Sequence, residues 1–234
     1  MVTTNLQLDP PKGKPFHIIL DEILFEEDKR KIISVLENIF DMYERLANVK
    51  IARYYFYNPW CEDPNQPYCR PNYYIEKCRI SYNLVDAKCL QNLSRNEPWQ
   101  QKEPHYEVYI IYDAIYFPDK LLPPLNIIYG ASHTAITPDG RIISDIGSII
   151  ISIGTLEYFH ESNWLDLFLL IAAHELGHLF GADHCSYGYC VMEQIPPYED
   201  DPLDFARKIL KNNPNLYCDY HRRLLIRNLK ILFG

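Results

Sequence analysis

The stretch HELGHLFGADHC, residues 174–185, decides how this chain folds and what it can bind. His174 and His178 are four residues apart, so on an α-helix their side chains leave the same face, one turn apart. Gly181 can adopt the left-handed conformation that ends a helix, after which the chain can fold back and present His184. Three imidazoles in this arrangement predict a zinc site with its fourth position open to water, which is typical of catalytic zinc.

Glu175 follows the first histidine and lies about 100° around the helix from it. A carboxylate at that position borders the metal without coordinating it, which is where a general base belongs. The alternative is that these are unconnected polar residues on an ordinary helix. The preceding segment WLDLFLLIAA predicts a buried helix, and burying two imidazoles and a carboxylate without partners costs several kcal/mol. A metal removes that cost, which favours the zinc site.

A second set of soft ligands begins at the next residue. Cys185 and Cys190 form one close-spaced pair, and Cys218 and His221 form another near the C-terminus. Four such ligands suit a closed, tetrahedral, structural zinc site. The alternative is a disulfide between Cys185 and Cys190, with His221 on the surface.

The HELGHLFGADHC stretch, the Cys190-Val191-Met192 segment and the ligand pair downstream resemble the archaemetzincin family of zinc metallopeptidases, which belongs to the metzincin group. The resemblance extends over residues 16–231, and its specific part is 174–221. It implies a catalytic zinc bound by His174, His178 and His184, with Glu175 as general base. It also implies a methionine turn under the metal at Met192, and a structural zinc bound by Cys185, Cys190 and Cys218.

The chain departs from the family pattern at the end of the second site. Where the family usually has Cys-x-x-Cys, this chain has Cys218-x-x-His221, and the spacing from Met192 to Cys218 is longer than usual. Histidine is an ordinary zinc ligand, so a site of three cysteines and one histidine is chemically reasonable. We therefore expect two zinc ions per chain, with His221 completing the second site.

Hydrophobic periodicity predicts an opening strand-helix-strand unit, with a strand at Phe16–Leu20, a helix at 28–46 and a strand at 49–57. Further strands are predicted at 106–112, 125–129 and 148–153. The helix of the zinc motif is predicted to begin at Trp164, with Asn163 as N-cap and Asp166 as its capping partner. The expected fold class is α+β: a single domain over 1–234 with a mixed twisted sheet, an active-site helix and a compact zinc-bound C-terminal subdomain.

Residues 58–105 have a different composition, rich in proline and cysteine, and are expected to form an insertion. Their four cysteines have wide, irregular spacings, which favours disulfides over a third metal site or free thiols. These cysteines are Cys61, Cys69, Cys78 and Cys89.

Composition limits the partners. A net charge of −8 argues against nucleic acid, and the short Lys29-Arg30-Lys31 run is typical of a solvated helix face. Residues 1–15 lack the apolar core of a signal peptide, and no apolar stretch approaches the roughly 18 residues of a membrane span. We expect a cytoplasmic monomer that acts on a peptide or protein.

The expected function is zinc-dependent peptide hydrolysis with Glu175 as base. The alternatives are a non-catalytic zinc-binding protein and a zinc amidohydrolase acting on non-peptide amides. Whether the peptidase removes terminal residues or cuts internally stays open. An aminopeptidase needs an acidic group for the free amine, and Glu157, Glu161 and Glu193 are available.

Two further residues or segments are candidates for substrate contact. The segment 126–130 resembles the edge strand on which metzincins pair an extended peptide, although an ordinary core strand is an equal alternative. Tyr198 is a candidate second electrophile, but an exposed loop tyrosine is the favoured interpretation.

Overall fold

The computed structural model describes residues 13–57, 70–96, 100, 103–116, 127–128, 130–133, 147–160, 163–193 and 202–234. The described strands are β1 (Phe16–Leu20), β2 (Arg53–Tyr57), β3 (Arg79–Ser81), β4 (Leu84–Asp86), β5 (Tyr106–Ile111), β6 (Ala114–Tyr116), β7 (Ile127–Ile128), β8 (Gly130–His133) and β9 (Ser148–Ser152). The described helices are α1 (Glu26–Ala47), α2 (Arg70–Lys77), α3 (Ala87–Arg95), α4 (Ile153–His160), α5 (Trp164–Leu179), α6 (Pro202–Asn212) and α7 (Asp219–Phe233).

The main sheet has five strands in the order β2-β1-β5-β9-β8. β1 pairs in parallel with β2 and β5, β5 pairs in parallel with β9, and only β8 runs antiparallel, along β9. The predicted strand-helix-strand unit is confirmed, because α1 connects the parallel pair β1 and β2. Every residue of β1, β5 and β9 is buried, as expected for central strands covered on both faces. The mixed sheet with helices confirms the predicted fold class.

One face of this sheet carries the larger hydrophobic core. α1 contributes a stripe at helical spacing that includes Ile32, Leu36 and Ile39, and the helix ends at Asn48 in the left-handed conformation. α5 packs against α1 and against the sheet, and α7 packs against α1. The zinc-motif helix is therefore held between the sheet and the terminal helices.

The opposite face of the sheet carries a smaller core under α2 and α3. A disulfide joins Cys78 to Cys89, as predicted for this cysteine-rich segment, while Cys61 and Cys69 lie outside the described residues. A second sheet in the order β3-β4-β6-β7 borders this layer. The part of the chain from 58 to 105 that is described thus folds as a disulfide-linked layer on the side of the sheet opposite α5.

Two local predictions are corrected in part. A strand is present within the predicted range 125–129, at Ile127–Ile128, but it pairs with β6 in the second sheet, and the edge strand of the main sheet begins at Gly130. Asn163 lies at the N-cap of α5, but its side chain makes no capping hydrogen bond; instead its carbonyl accepts from the Asp166 amide at 3.2 Å. In both cases the hydrophobic pattern located the element, while tertiary contacts set its ends.

None of the helices in the described ranges is long and apolar enough to cross a membrane.

The C-terminal helix supports the end of the zinc-motif helix through Asn228. Its side-chain amide, buried on α7, donates to the Phe180 carbonyl at 2.7 Å. Phe180 is the C-cap of α5, so this bond satisfies a carbonyl for which the helix has no partner.

We predict that Asn228→Ala lowers the free energy of unfolding by about 1–3 kcal/mol, because it leaves a buried carbonyl without its donor. Asn212→Ala is the matched control: the Asn212 amide donates to the Lys208 carbonyl at the same 2.7 Å, but it is exposed. This control is expected to change stability by no more than about 0.5 kcal/mol. Urea unfolding of both variants measures the difference, and equal losses would contradict the assignment.

Candidate active site and Cys3His group

The three histidines of the zinc motif are positioned by the way α5 ends. Gly181 has a φ of 85°, its amide donates to the His178 carbonyl, and the Ala182 amide donates to the Gly177 carbonyl, each at 2.9 Å. This is the Schellman arrangement, which requires the left-handed conformation that glycine adopts without strain. The chain reverses there and brings His184 back over the helix, as the sequence predicted.

The structure brings these three histidines together. Each offers a ring nitrogen within 4.8 Å of the others, and the ring centroids are 4.5 to 5.4 Å apart. His174 is buried, His178 is partly buried and His184 is exposed. We call these residues the histidine group. One side of the group is closed by protein and the other faces solvent, so a substrate has access to it.

Two backbone carbonyls fix the orientation of the helical imidazoles. His174 Nδ1 donates to the Val191 carbonyl and His178 Nδ1 donates to the Ala182 carbonyl, both at 2.7 Å. In a neutral ring this leaves Nε2 as a lone pair, and the two Nε2 atoms lie 2.9 Å apart. Burial, followed by the charge of His174, lowers the pKa of His178 to about 4, so this ring is neutral at physiological pH. Two facing lone pairs repel one another unless a cation lies between them, and the group therefore fits a zinc ion.

Glu175 is buried between α5 and the edge strand β8. Gly130, the first residue of β8, lies so close that a Cβ atom there would be 3.0 Å from both Cγ and Oε1 of Glu175. A Cβ on Gly177, one helical turn after Ala173, would clash with Met192 Sδ. Met192 therefore packs against α5 at Gly177, which lies between His174 and His178 in the helix.

The second predicted ligand set also comes together. Cys185, Cys190, Cys218 and His221 offer ligand atoms within 4.8 Å of one another, and we call them the Cys3His group. His221 Nδ1 lies 3.2 Å from Cys218 Sγ and 3.5 Å from Cys190 Sγ, and the Cys185 and Cys218 sulfurs are 3.9 Å apart. His221 is buried and not on the surface.

The chemistry of the Cys3His group favours a metal. All three cysteines are free thiols, so the alternative of a disulfide between Cys185 and Cys190 is wrong. Burial raises the pKa of the Cys190 thiol to about 12, and burial also raises that of Cys185. Burial lowers the pKa of His221, which keeps a ring nitrogen free for coordination. Three clustered thiols with an imidazole match the donor set of structural zinc, which deprotonates the thiols that bind it.

Several sequence candidates for substrate contact are not placed. Tyr198, Glu161 and Asn126 lie outside the described residues, as does the side chain of Glu157. Glu193 forms an isolated bridge with Cys185, next to the Cys3His group.

Four contributors to the site were missed by sequence reasoning. The carbonyls of Val191 and Ala182 orient the imidazoles, Gly130 leaves room for the Glu175 side chain, and Tyr217 contacts the zinc-motif helix. A backbone carbonyl has no side-chain signature, because every residue carries one. Gly130 alone offered a signal, since a glycine inside a strand pattern often marks a close approach of another group.

Comparison with known proteins identifies the fold. The sequence matches no protein-family model and no curated protein. Among solved structures, an archaemetzincin from Methanopyrus kandleri has a TM-score of 0.56 at 19% identity, covering 95% of this chain and 99% of that one. A zinc-dependent peptidase from Methanocorpusculum labreanum (TM-score 0.51, 18% identity) and a malonate complex of archaemetzincin from Archaeoglobus fulgidus (0.50, 16%) each cover 90% of this chain and 99% of theirs.

The class is therefore a metzincin-like α+β fold, built from a mixed sheet over a zinc-motif helix. More particularly, the chain has the fold of the archaemetzincins, over nearly its whole length. The resemblance drawn from the motif and the similarity of the fold agree.

Proposed function

We propose that this chain is a metallopeptidase of the metzincin type, with a catalytic zinc on the histidine group and a structural zinc on the Cys3His group. The observation that carries the proposal is the pair of imidazoles whose Nε2 lone pairs converge while their Nδ1 atoms are held by backbone carbonyls. Such carbonyl partners orient metal-binding histidines. The fold shared with a zinc-dependent peptidase supports the same assignment.

Glu175 is the proposed general base. When bound, zinc supplies Lewis acidity that polarises a peptide carbonyl and lowers the pKa of water. The Glu175 carboxylate accepts a proton from the water that attacks the carbonyl carbon, and it later delivers that proton to the leaving amine nitrogen. Its burial against β8 excludes bulk water from the side of the carboxylate that faces the strand. His174 and His178 keep their Nδ1 protons on carbonyls throughout, so that each Nε2 would bind the metal.

The edge strand of the main sheet, β8, is the proposed strand with which an extended substrate pairs. It ends the strand order of the main sheet, and its first residue, Gly130, touches Glu175. An extended peptide that adds to such an edge is held by main-chain hydrogen bonds, which suit substrates of varied sequence. This geometry favours peptide over non-peptide amides, because it uses the repeating backbone of the substrate.

Glu175→Gln is expected to lower peptide hydrolysis at least about 100-fold, because an amide cannot accept the proton, while zinc content and melting temperature stay unchanged. A peptide-library digest read by mass spectrometry, with native and variant protein compared side by side, measures the loss and reveals the cleavage positions. Loss of zinc in this variant would show that Glu175 is a ligand. No cleavage by the zinc-loaded native protein would refute the proposed activity.

Gly130→Ala is expected to reduce kcat about tenfold or more with little change in zinc affinity, because the added methyl group contacts Glu175 at 3.0 Å and displaces the base. Gly188→Ala is a matched control, since a Cβ at Gly188 meets nothing within 4 Å. Steady-state kinetics and zinc titration of both variants separate the two effects. Equal kcat values for Gly130→Ala and native protein would exclude this role for the glycine.

His221→Ala is expected to lower the zinc content from two ions to nearly one after washing with chelator, because it opens the Cys3His group. His221→Cys is expected to keep both ions at near-native stability, since thiolate and imidazole both complete a tetrahedral zinc site. Elemental analysis and thermal unfolding measure these outcomes. Two retained zincs and an unchanged melting temperature in His221→Ala would remove His221 from the ligand set.

A further inference from the structure

The Cys3His group is connected to the histidine group at three places along the chain, each one residue from a cysteine ligand. Cys185 directly follows His184, which fixes the third imidazole. Cys190 precedes Val191, whose carbonyl accepts from His174 Nδ1. The third connection is made by the residue that precedes Cys218. Its side chain has no part in the proposed mechanism.

That side chain is Tyr217. Its hydroxyl donates to the Ala173 carbonyl at 2.5 Å, and Ala173 is the residue immediately before His174. A second tyrosine on α1, Tyr43, contacts the Tyr217 hydroxyl and lies 3.3 Å from the same carbonyl. Both rings are almost fully buried, and a phenol is protonated at neutral pH, so both hydroxyls are available as donors.

Residues 216 and 217 make two further contacts: the Tyr217 ring contacts the zinc-motif helix at a second point, and Leu216 binds the Val191 amide. A Cβ on Gly177 would lie 3.3 Å from the Tyr217 ring, so this ring packs directly on the helix backbone at a position between His174 and His178. The Leu216 carbonyl accepts from the Val191 amide at 2.7 Å. The short segment that carries Cys218 therefore holds both the helix backbone at Ala173 and Val191, the residue whose carbonyl orients His174.

We propose that Tyr217 is a positioning residue that couples the two groups, so that metal binding at the Cys3His group strengthens metal binding at the histidine group. A metal on the Cys3His group fixes Cys218 and hence Tyr217. Tyr217 in turn holds the helix at the turn that presents His174 and His178. Because linkage is reciprocal, a metal on the histidine group strengthens binding at the Cys3His group by the same factor. This inference rests on the proposed function only in that both groups bind metal.

The first test compares two tyrosine variants of the full chain. Tyr217→Phe is expected to weaken zinc binding at the histidine group about tenfold, the lower end of the usual effect of residues that support metal ligands. Tyr43→Phe is the matched control: it removes a hydroxyl from the same buried cluster but leaves the bond between Tyr217 and Ala173 in place. Competition of zinc with a chromogenic chelator measures the affinity. Equal affinities in the two variants would overturn the proposal, because they would show a general packing effect.

The second test is a double-mutant cycle with His221→Ala, which opens the Cys3His group by one ligand and leaves its three cysteines. His221→Ala alone is expected to weaken zinc binding at the histidine group at least about fivefold, the lower end of typical coupling between sites. Tyr217→Phe should then add little in that background, because the connection is already lost. Effects that multiply independently would refute coupling through Tyr217.

Cobalt substitution keeps the test decisive if a variant folds poorly. Thiolate-to-cobalt absorption reports the Cys3His group alone, so its presence in Tyr217→Phe shows that this group is intact while the affinity of the histidine group is measured. Absence of the band together with loss of the tyrosine near-ultraviolet signal would assign to Tyr217 a purely structural role and overturn the proposal. Peptide cleavage is not the readout, so a native protein that binds two zincs without cleaving peptides refutes the proposed function and leaves the coupling standing.

Discussion

The hydrogen bond from His174 Nδ1 to the Val191 carbonyl is the interaction on which the site depends. It joins two parts of the chain that are 17 residues apart and decides which nitrogen of the first imidazole faces the second. Without it the ring can rotate or change tautomer, and the convergence of lone pairs is lost. Val191 is in turn held by the hydrogen bond from its amide to the Leu216 carbonyl, and it directly follows Cys190 in the chain. The orientation of the His174 imidazole therefore depends on a segment that carries residues of the Cys3His group.

The sheet and the terminal helices make this arrangement rigid. α5 is buried between the main sheet and α1, its C-terminal carbonyl is bound by Asn228 on α7, and a preceding carbonyl is bound by Tyr217. Gly130 brings the edge strand against Glu175. Because the faces of α5 are packed, the motions that would misplace its two imidazoles and its carboxylate are limited.

Prediction from sequence worked where the governing interaction is local. The spacing of His174 and His178, the left-handed Gly181 and the paired cysteines follow from helix geometry and from ligand chemistry, both of which act over a few residues. The strand at Phe16–Leu20 agrees with its predicted bounds, because its four large apolar residues are buried in the centre of the sheet. A strand lies at Ile127–Ile128 within the predicted range 125–129, but its sheet could not be predicted, since short apolar runs in a Pro-rich and Gly-containing stretch do not specify which sheet they join.

The sequence by itself determined the two groups of candidate metal ligands, the helix that carries the first of them and the α+β class. Only the tertiary structure decided which groups orient the imidazoles, which strand covers Glu175 and how the two ligand sets are linked. The reason is physical. A metal-ligand pattern consists of particular side-chain types at short spacing, whereas the groups that support the ligands are backbone carbonyls and a glycine that lacks a Cβ atom. Val191, Ala182 and Gly130 carry no distinguishing side chain for those roles, and they acquire them only when distant segments pack together.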